Sequence, residues 1–144
     1  IYSSTFHDAL ARIWKIAMNE TAKIPAFWNV IPEMNHNEMT GFDCGPRAKG
    51  FVAGFAAVII SSAGDPPEIR KRIKVLAQIY ERKGVRVRLV KLRNENTTKS
   101  LLIEWFGVIA IGYFTALSLA RYYGAEPAAV PMVEAFKKAV REGK

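Results

Sequence analysis

The hydrophobic positions of the chain recur with two different periods. Apolar residues three or four positions apart predict helices near residues 6–20, 68–83, 98–123 and 132–141. The continuous apolar run over residues 51–60 predicts a strand covered on both faces, and alternation after residue 84 predicts a strand near a sheet edge. Because strands and helices alternate, the sequence predicts an α/β fold, a three-layer α/β/α sandwich with a mostly parallel sheet.

The first helix carries an apolar stripe that ends in a carboxylate. Its steps of four, three and four lead from Phe6 to Ala17, and the next step of three reaches Glu20. We therefore expect Glu20 to face the core, where burial would raise its pKa. The preceding Ser3-Ser4-Thr5 turn predicts a helix cap, with a phosphate cradle as the alternative.

Polar and titratable groups concentrate in the proline-broken loop that follows. His36 lies there between Asn35 and Asn37, and an imidazole titrates near neutrality. A carboxylate such as Glu20 with a histidine suits proton transfer beside a carbonyl group. The plain alternative is that Glu20 caps its helix or pairs with Lys23, and that His36 is an ordinary loop residue.

Composition restricts the remaining possibilities. The 144 residues suit one domain, and a single cysteine, Cys44, forms no internal disulfide and is compatible with a cytoplasmic setting. His36, Glu38 and Asp43 match no closed zinc pattern, and no glycine-rich nucleotide motif is present, so we expect no metal or cofactor. The apolar run after residue 100 is long enough for a membrane, but Glu104 favours a helix buried inside the protein.

The net charge of +8 is concentrated in one segment. Residues 67–93 hold ten Lys or Arg and two Glu, which accounts for the whole excess. Such a patch is compatible with nucleic-acid binding. No stacking pattern of aromatic residues is interleaved with these charges, so we favour a solvated helix face and edge strand, with no nucleic-acid partner.

Several motifs together resemble one protein family. Arg12, Trp14 and Lys15 precede "NETAK", "PAFWN", "PEMNHNE" and Gly41-Phe42, and "DPPEIRKRI" and "GAEPAAVPMVEAFKKAV" follow later. This order is similar to the second sugar isomerase (SIS) domain of the bifunctional phosphoglucose/phosphomannose isomerases. The resemblance implies one SIS domain over residues 1–144, the C-terminal half of a two-SIS-domain protein whose N-terminal half is absent here.

The resemblance also implies a reaction and a set of site residues. The reaction is aldose–ketose isomerisation of hexose 6-phosphates through a cis-enediol(ate), with Glu20 as the base that moves a proton between C1 and C2. His36 would assist ring opening from the neighbouring subunit of a homodimer, and Lys137 would bind the ring oxygen or hydroxyl groups. No cofactor is implied, because the open-chain carbonyl already acidifies the migrating proton, and the enzyme would be cytoplasmic.

Two features leave an alternative open. The family usually has a threonine after its Gly-x-Asp-Pro, where this chain has Ala128, so sugar specificity is in question. Without its first domain the chain should be incomplete as an enzyme. A non-catalytic phosphosugar-binding SIS module would keep the fold without needing Glu20.

Overall fold

The fold is organised around a four-stranded parallel sheet. A computed structural model describes residues 1–92 and 97–143. The strands are β1 (Tyr2–Ser4), β2 (Asn29–Ile31), β3 (Ala56–Ser62) and β4 (Arg86–Leu92). They lie in the order β2-β1-β3-β4, and all adjacent pairs are parallel. The predicted parallel sheet is confirmed, with β4 at an edge.

In the part of the chain that the structure describes, five α-helices follow or connect these strands. They are α1 (Asp8–Glu20), α2 (Lys49–Ala53), α3 (Pro67–Arg82), α4 (Thr98–Tyr123) and α5 (Pro131–Glu142). Short 3-10 turns occupy Thr5–His7, Glu33–Asn35, Glu38–Phe42 and Pro46–Ala48.

Two hydrophobic cores separate the three layers. On one face of the sheet, Leu10 and Trp14 of α1 pack with Ile60 of β3 and Val108 of α4. The opposite core includes α3 and the β2–β3 region, and its members include Tyr2, Ile31, Met34, Ile59, Ile73, Leu76 and Tyr80. Because each face of the sheet is covered by helices, the α/β/α sandwich is confirmed.

The apolar run over residues 51–60 is not one strand. Its first residues belong to α2, which ends at Ala53, and β3 begins only at Ala56. Phe51 is exposed, so the run includes a surface residue as well as core residues. An unbroken apolar run does not distinguish a helical turn from a strand, which explains the error.

The helix ends follow the sequence in part. Pro67 starts α3 and Gly84 follows its end with a positive φ of 85°, as the sequence indicates. Thr97 caps α4 in a reciprocal pair of hydrogen bonds with Ser100. The predicted cap of α1 is wrong, because neither Ser4 before the 3-10 turn nor His7 before α1 makes a side-chain cap bond.

Helix α1 crosses α4 at very short range. The Trp14 indole nitrogen donates a hydrogen bond to the backbone oxygen of Val108, 2.9 Å away. A Cβ added to Gly112 would lie only 2.8 Å from that indole nitrogen. Glycine at this position therefore allows the two helices to pack closely.

Helix α4 is not buried inside this chain, contrary to the prediction. Its buried residues form one narrow stripe, Val108, Gly112, Ala116 and Ala120, and only 17% of its most apolar stretch is buried. By length and composition, it is the one helix among residues 1–92 and 97–143 that could cross a membrane. A core helix of a soluble protein passes the same test, so the length decides nothing alone.

The basic segment lies on the surface. Arg70, Lys71 and Lys74 of α3 are exposed, as are Arg86 and Arg88 of β4. This agrees with the predicted solvated face. Arg93, the last residue of the segment, lies outside the described residues.

Candidate functional site

Glu20 is the last residue of α1 and is exposed. The expectation that it faces the core is therefore wrong, because the buried face of α1 is formed by Leu10, Ala11, Trp14, Ala17 and Met18, and Glu20 lies beside that face. Asn19 fixes the next turn by accepting a hydrogen bond from the Ala26 amide at 2.7 Å. The carboxylate of Glu20 is thus presented to solvent at a well-fixed helix end.

Lys23 connects this helix end to the connection between α4 and α5. Its ammonium group donates to the backbone oxygen of Glu20 and to that of Pro127, the latter at 3.2 Å. Lys23 has a left-handed backbone with φ of 59°, which turns its side chain back over the helix end. The expected alternative, a bond to the Glu20 carboxylate, is not what the structure has.

Lys137 lies on α5 and is exposed. Its ammonium group pairs with Glu134 one turn earlier, at 3.1 Å. α5 has no buried residue in this chain. The position of Lys137 relative to a substrate is therefore not fixed by packing of α5 against other parts of this chain.

His36 is held on a loop that is anchored at two points. Met34 is fully buried in the core under α3. Glu38 accepts hydrogen bonds from the Tyr2 hydroxyl and from the side-chain amide of Asn29, both at 2.8 Å. Between these anchors the His36 side chain is exposed.

The anchoring acid also affects two tyrosines beneath it. Burial is the main reason that the pKa of Tyr2 is strongly raised, and the neighbouring Tyr80 and Glu38 raise it further. Burial likewise raises the pKa of Tyr80 to about 12. Both phenols therefore stay neutral at ordinary pH, and the Tyr2 hydroxyl remains a donor to Glu38.

Glu20 and His36 lie on elements that cover opposite faces of the sheet. α1, which ends at Glu20, packs through Leu10 and Trp14 into the core on one face. The loop of His36 packs through Met34 into the core on the other face, which includes residues of α3. The sheet therefore separates the elements that carry the two side chains.

Comparison with known proteins identifies the fold family. Residues 1–140 match the family described as bacterial phospho-glucose isomerase C-terminal SIS domain. The chain belongs to this family. The predicted resemblance to phosphoglucose/phosphomannose isomerases is thereby confirmed.

Curated relatives carry a consistent name. A bifunctional phosphoglucose/phosphomannose isomerase of Aquifex aeolicus is 25% identical over 99% of this chain and 42% of its own length. Proteins of the same name from Thermoplasma volcanium and Thermoplasma acidophilum are 31% and 30% identical over 97% of the chain. The chain spans about two fifths of the length of these relatives.

A buried polar cluster lies where the strand order of this SIS domain reverses. His7, following β1, and Asp65, following β3, are both buried, with 3.9 Å between the His7 Nε2 and an Asp65 oxygen. The other Asp65 oxygen accepts a hydrogen bond from the Ser62 amide at 2.9 Å. Ligands of open parallel sheets bind at such reversal points.

Ser3 and Ser4 of β1, which precede His7, are buried as well. The cap predicted for the Ser3-Ser4-Thr5 turn is wrong, whereas the phosphate cradle stays a prediction. Sequence reasoning missed this cluster, although an aspartate directly after a buried strand and before Pro66 was a usable signal.

Two other features of the described residues bear on ligands. No group of three or more His, Cys, Asp or Glu side chains that could hold a metal occurs in residues 1–92 and 97–143. A groove of about 450 Å³ separates the loop of His36 from α3, and Met39, Lys71 and Arg72 line it. Neither Glu20 nor Lys137 contributes to that groove.

Proposed function

We propose that this SIS domain is the Glu20-bearing half of an isomerase for hexose 6-phosphates. The observation that carries the proposal is the exposed Glu20 at the fixed end of α1, tied through Lys23 to the connection before α5. The proposal is supported by the family of the chain and by the printed names of its relatives. It places the enzyme in the cytoplasm, without a membrane or nucleic-acid partner.

The proposed reaction needs only proton transfers. The Glu20 carboxylate removes the proton on C2 of the open-chain aldose, and the electron pair forms the C1–C2 double bond of a cis-enediol(ate). The protonated Glu20 then returns the proton to C1, while O1 gains a proton and O2 loses one to give the ketose. His36 assists ring opening, and Lys137 holds the ring oxygen or a hydroxyl group.

The separation of Glu20 from His36 supports a shared site. In a homodimer, the His36 loop of one subunit would reach the end of α1 that carries Glu20 in its partner. Glu20 is open to solvent in this chain, whereas proton transfer through an enediolate is favoured where water is excluded. We therefore propose that an N-terminal SIS half completes the site and that this chain alone does not turn over substrate.

The first prediction concerns the base. In the natural full-length protein, Glu20→Gln removes the group that carries the proton, so turnover should fall by at least about 1,000-fold while binding is largely kept. NMR of fructose 6-phosphate converted to glucose 6-phosphate and mannose 6-phosphate measures both rate and product ratio. Lys15→Gln, an exchange on the same helix, should leave turnover nearly unchanged.

A non-catalytic phosphosugar-binding module is the second candidate. It is favoured by the open environment of Glu20 in this chain. If the full-length Glu20→Gln variant binds fructose 6-phosphate and the unsubstituted protein also shows no turnover, this candidate replaces the isomerase. In an active enzyme the product ratio would instead report how Ala128 affects sugar specificity.

A further inference from the structure

Lys23 has a backbone conformation that lysine rarely adopts. Its φ of 59° lies in the left-handed region, which costs free energy for a residue with a Cβ atom. The residue lies in the turn that follows α1, where the Ile24 amide donates to the Met18 oxygen at 3.2 Å. Glycine is the usual residue at a left-handed position after a helix. A lysine at this position therefore points to a task for its side chain.

The ammonium group of Lys23 contacts two distant parts of the backbone. It donates to the Glu20 oxygen at the end of α1 and, at 3.2 Å, to the Pro127 oxygen. A lysine that only capped α1 would need the first of these contacts alone. The second contact joins the end of α1 to the connection between α4 and α5.

Helix α5 depends on this connection for its position. Its larger apolar residues share one face, but no residue of α5 is buried. Among the described residues, neither hydrophobic core includes a member of α5. Burial within this chain therefore does not determine where α5 lies, and the connection that leads into it does. The apolar face of α5 is formed by Met132, Val133, Phe136 and Val140.

The connection is stiff enough to transmit the position of Pro127. Pro127 and Pro131 each have a restricted φ, and Ala128, Ala129 and Val130 lie between them. The residue before a proline is restricted as well, and Val130 has a φ of −131°. A contact that holds the Pro127 carbonyl therefore limits the directions in which α5 can start.

We propose that Lys23 is a positioning residue, which holds the start of α5, and with it Lys137, in a fixed place relative to Glu20. This inference rests on the proposed function, in which Glu20 moves the proton and Lys137 binds the sugar. Lys23 acts through two backbone carbonyl groups and not through a contact with substrate. A misplacement of about 1 Å in such a site is enough to lower turnover strongly.

In the natural full-length protein, Lys23→Gly separates this role from a structural one. Glycine adopts the left-handed conformation freely but has no ammonium group, so the denaturation midpoint should not fall. NMR should show kcat/KM for fructose 6-phosphate reduced at least about fivefold. Lys23→Arg keeps a positive donor and should recover most of this loss. An unchanged kcat/KM in Lys23→Gly, beside an active unsubstituted protein, would overturn the proposal.

A double variant shows whether Lys23 acts through Lys137. If it does, adding Lys23→Gly to Lys137→Ala should lower kcat/KM less than about twofold beyond Lys137→Ala alone. On a background of Lys138→Ala, the matched control, the loss caused by Lys23→Gly should be seen in full. Losses from Lys23→Gly and Lys137→Ala that multiply would mean that Lys23 acts elsewhere, and would overturn the proposal.

Proteolysis of the connection reports the same contact without catalysis. Elastase cleaves after small residues, and Ala125, Ala128 and Ala129 lie in the connection. In Lys23→Gly these sites should be cut at least about fivefold faster, because local opening of the connection is less opposed. Lys23→Arg should be cut at nearly the unsubstituted rate. Unchanged cutting of Lys23→Gly would overturn the proposal.

Failure of the proposed function would give a different result. A full-length protein without turnover, in which Lys23→Gly still exposes the connection to elastase, would count against the proposed function alone. If Lys23→Gly fails to fold, acetylation of the unsubstituted protein decides. Lys23, held by two carbonyl oxygens, should then react at least about fivefold more slowly than the exposed Lys74. Equal rates of acetylation would overturn the proposal.

Discussion

Lys137 and Lys138 are adjacent in sequence but have different surroundings on α5. One helical turn away, Lys137 has Val133 and Val140 as neighbours, so it borders the apolar face. The corresponding neighbours of Lys138 are polar or small, and it lies 3.9 Å from Glu142. The helix therefore separates two residues that sequence alone leaves equivalent.

This difference predicts unequal effects of two matched substitutions. In the full-length protein, Lys137→Ala should lower kcat/KM for fructose 6-phosphate at least about tenfold, because a charged contact to the sugar is lost. Lys138→Ala should change it less than about twofold. The same NMR assay measures both variants, and equal losses would remove Lys137 from the proposed site.

Tyr80 gives a prediction about pH. Its pKa is raised to about 12 in the folded chain, against about 10 in an unfolded chain. The neutral phenol is thus favoured by folding, so its contribution to stability is complete below pH 10 and is lost as pH rises from 10 towards 12. Tyr80→Phe should reduce the fall of unfolding free energy across that window.

Urea unfolding between pH 8 and 11 measures this slope. Tyr122→Phe is the control, since Tyr122 is largely exposed and should leave the slope as it is. An unchanged slope in Tyr80→Phe would show that another buried group governs alkaline unfolding.

At the scale of elements, the crossing of α1 and α4 has the tightest fit. Gly112 lies against Trp14, whereas Gly107 in the same helix has no atom within 4 Å of an added Cβ. The two glycines of α4 thus differ in their surroundings, since a side chain would clash at Gly112 and would have open space at Gly107. Only Gly112 is required by packing.

Alanine at these two positions should have opposite effects. Gly112→Ala should destabilise the chain by about 1–3 kcal/mol through overpacking. Gly107→Ala should stabilise it by up to about 1 kcal/mol through helix propensity. Denaturant unfolding of the two variants gives both values. A gain in stability for Gly112→Ala would mean that the helices can separate without cost.

Sequence patterns predicted the helices and strands better than they predicted which residues are buried. The helices at α1, α3, α4 and α5 and the edge strand β4 follow from hydrophobic spacing and from Pro67 and Gly84. Spacing could not show that Glu20 leaves the core, because a stripe does not report where its helix extends past the neighbouring layer. It also could not show that α4 is half uncovered, since exposure depends on what packs beside it.

The candidate site was predictable partly from residue patterns and partly through motifs. The apolar stripe and the polar loop indicated Glu20 and His36, whereas Lys137 came only from the family pattern, and the roles of all three stay predictions. The buried His7–Asp65 pair depends on contacts between distant segments, and so do the hydrogen bonds of Glu38 with Tyr2 and Asn29. Local sequence spacing does not report such contacts. Sequence alone therefore identified candidate chemistry but not the way in which the fold distributes it.

For the whole molecule, the placement of Glu20 and His36 on elements at opposite faces of the sheet has a kinetic consequence. In a homodimer with sites shared between subunits, Glu20→Gln and His36→Ala chains can complement each other. Equal mixing gives one intact site in each mixed dimer, so activity should recover to about a quarter of the unsubstituted level.

Subunit mixing after mild dissociation tests this, with each variant reassociated alone as the control. Recovery well above either variant supports a site made from two subunits. No recovery, in dimers shown by mass to be mixed, would mean that Glu20 and His36 act within one chain.

The basic residues of β4 also protect the free edge of the sheet. Among residues 1–92 and 97–143, no strand pairs with the outer side of this seven-residue strand, so another extended chain could add to the sheet there. Arg86, Arg88 and Lys91 are exposed along it. Two such strands brought together would place like charges side by side, which opposes aggregation. The positive charge of this segment thus contributes to keeping the protein in solution, even if it binds no ligand.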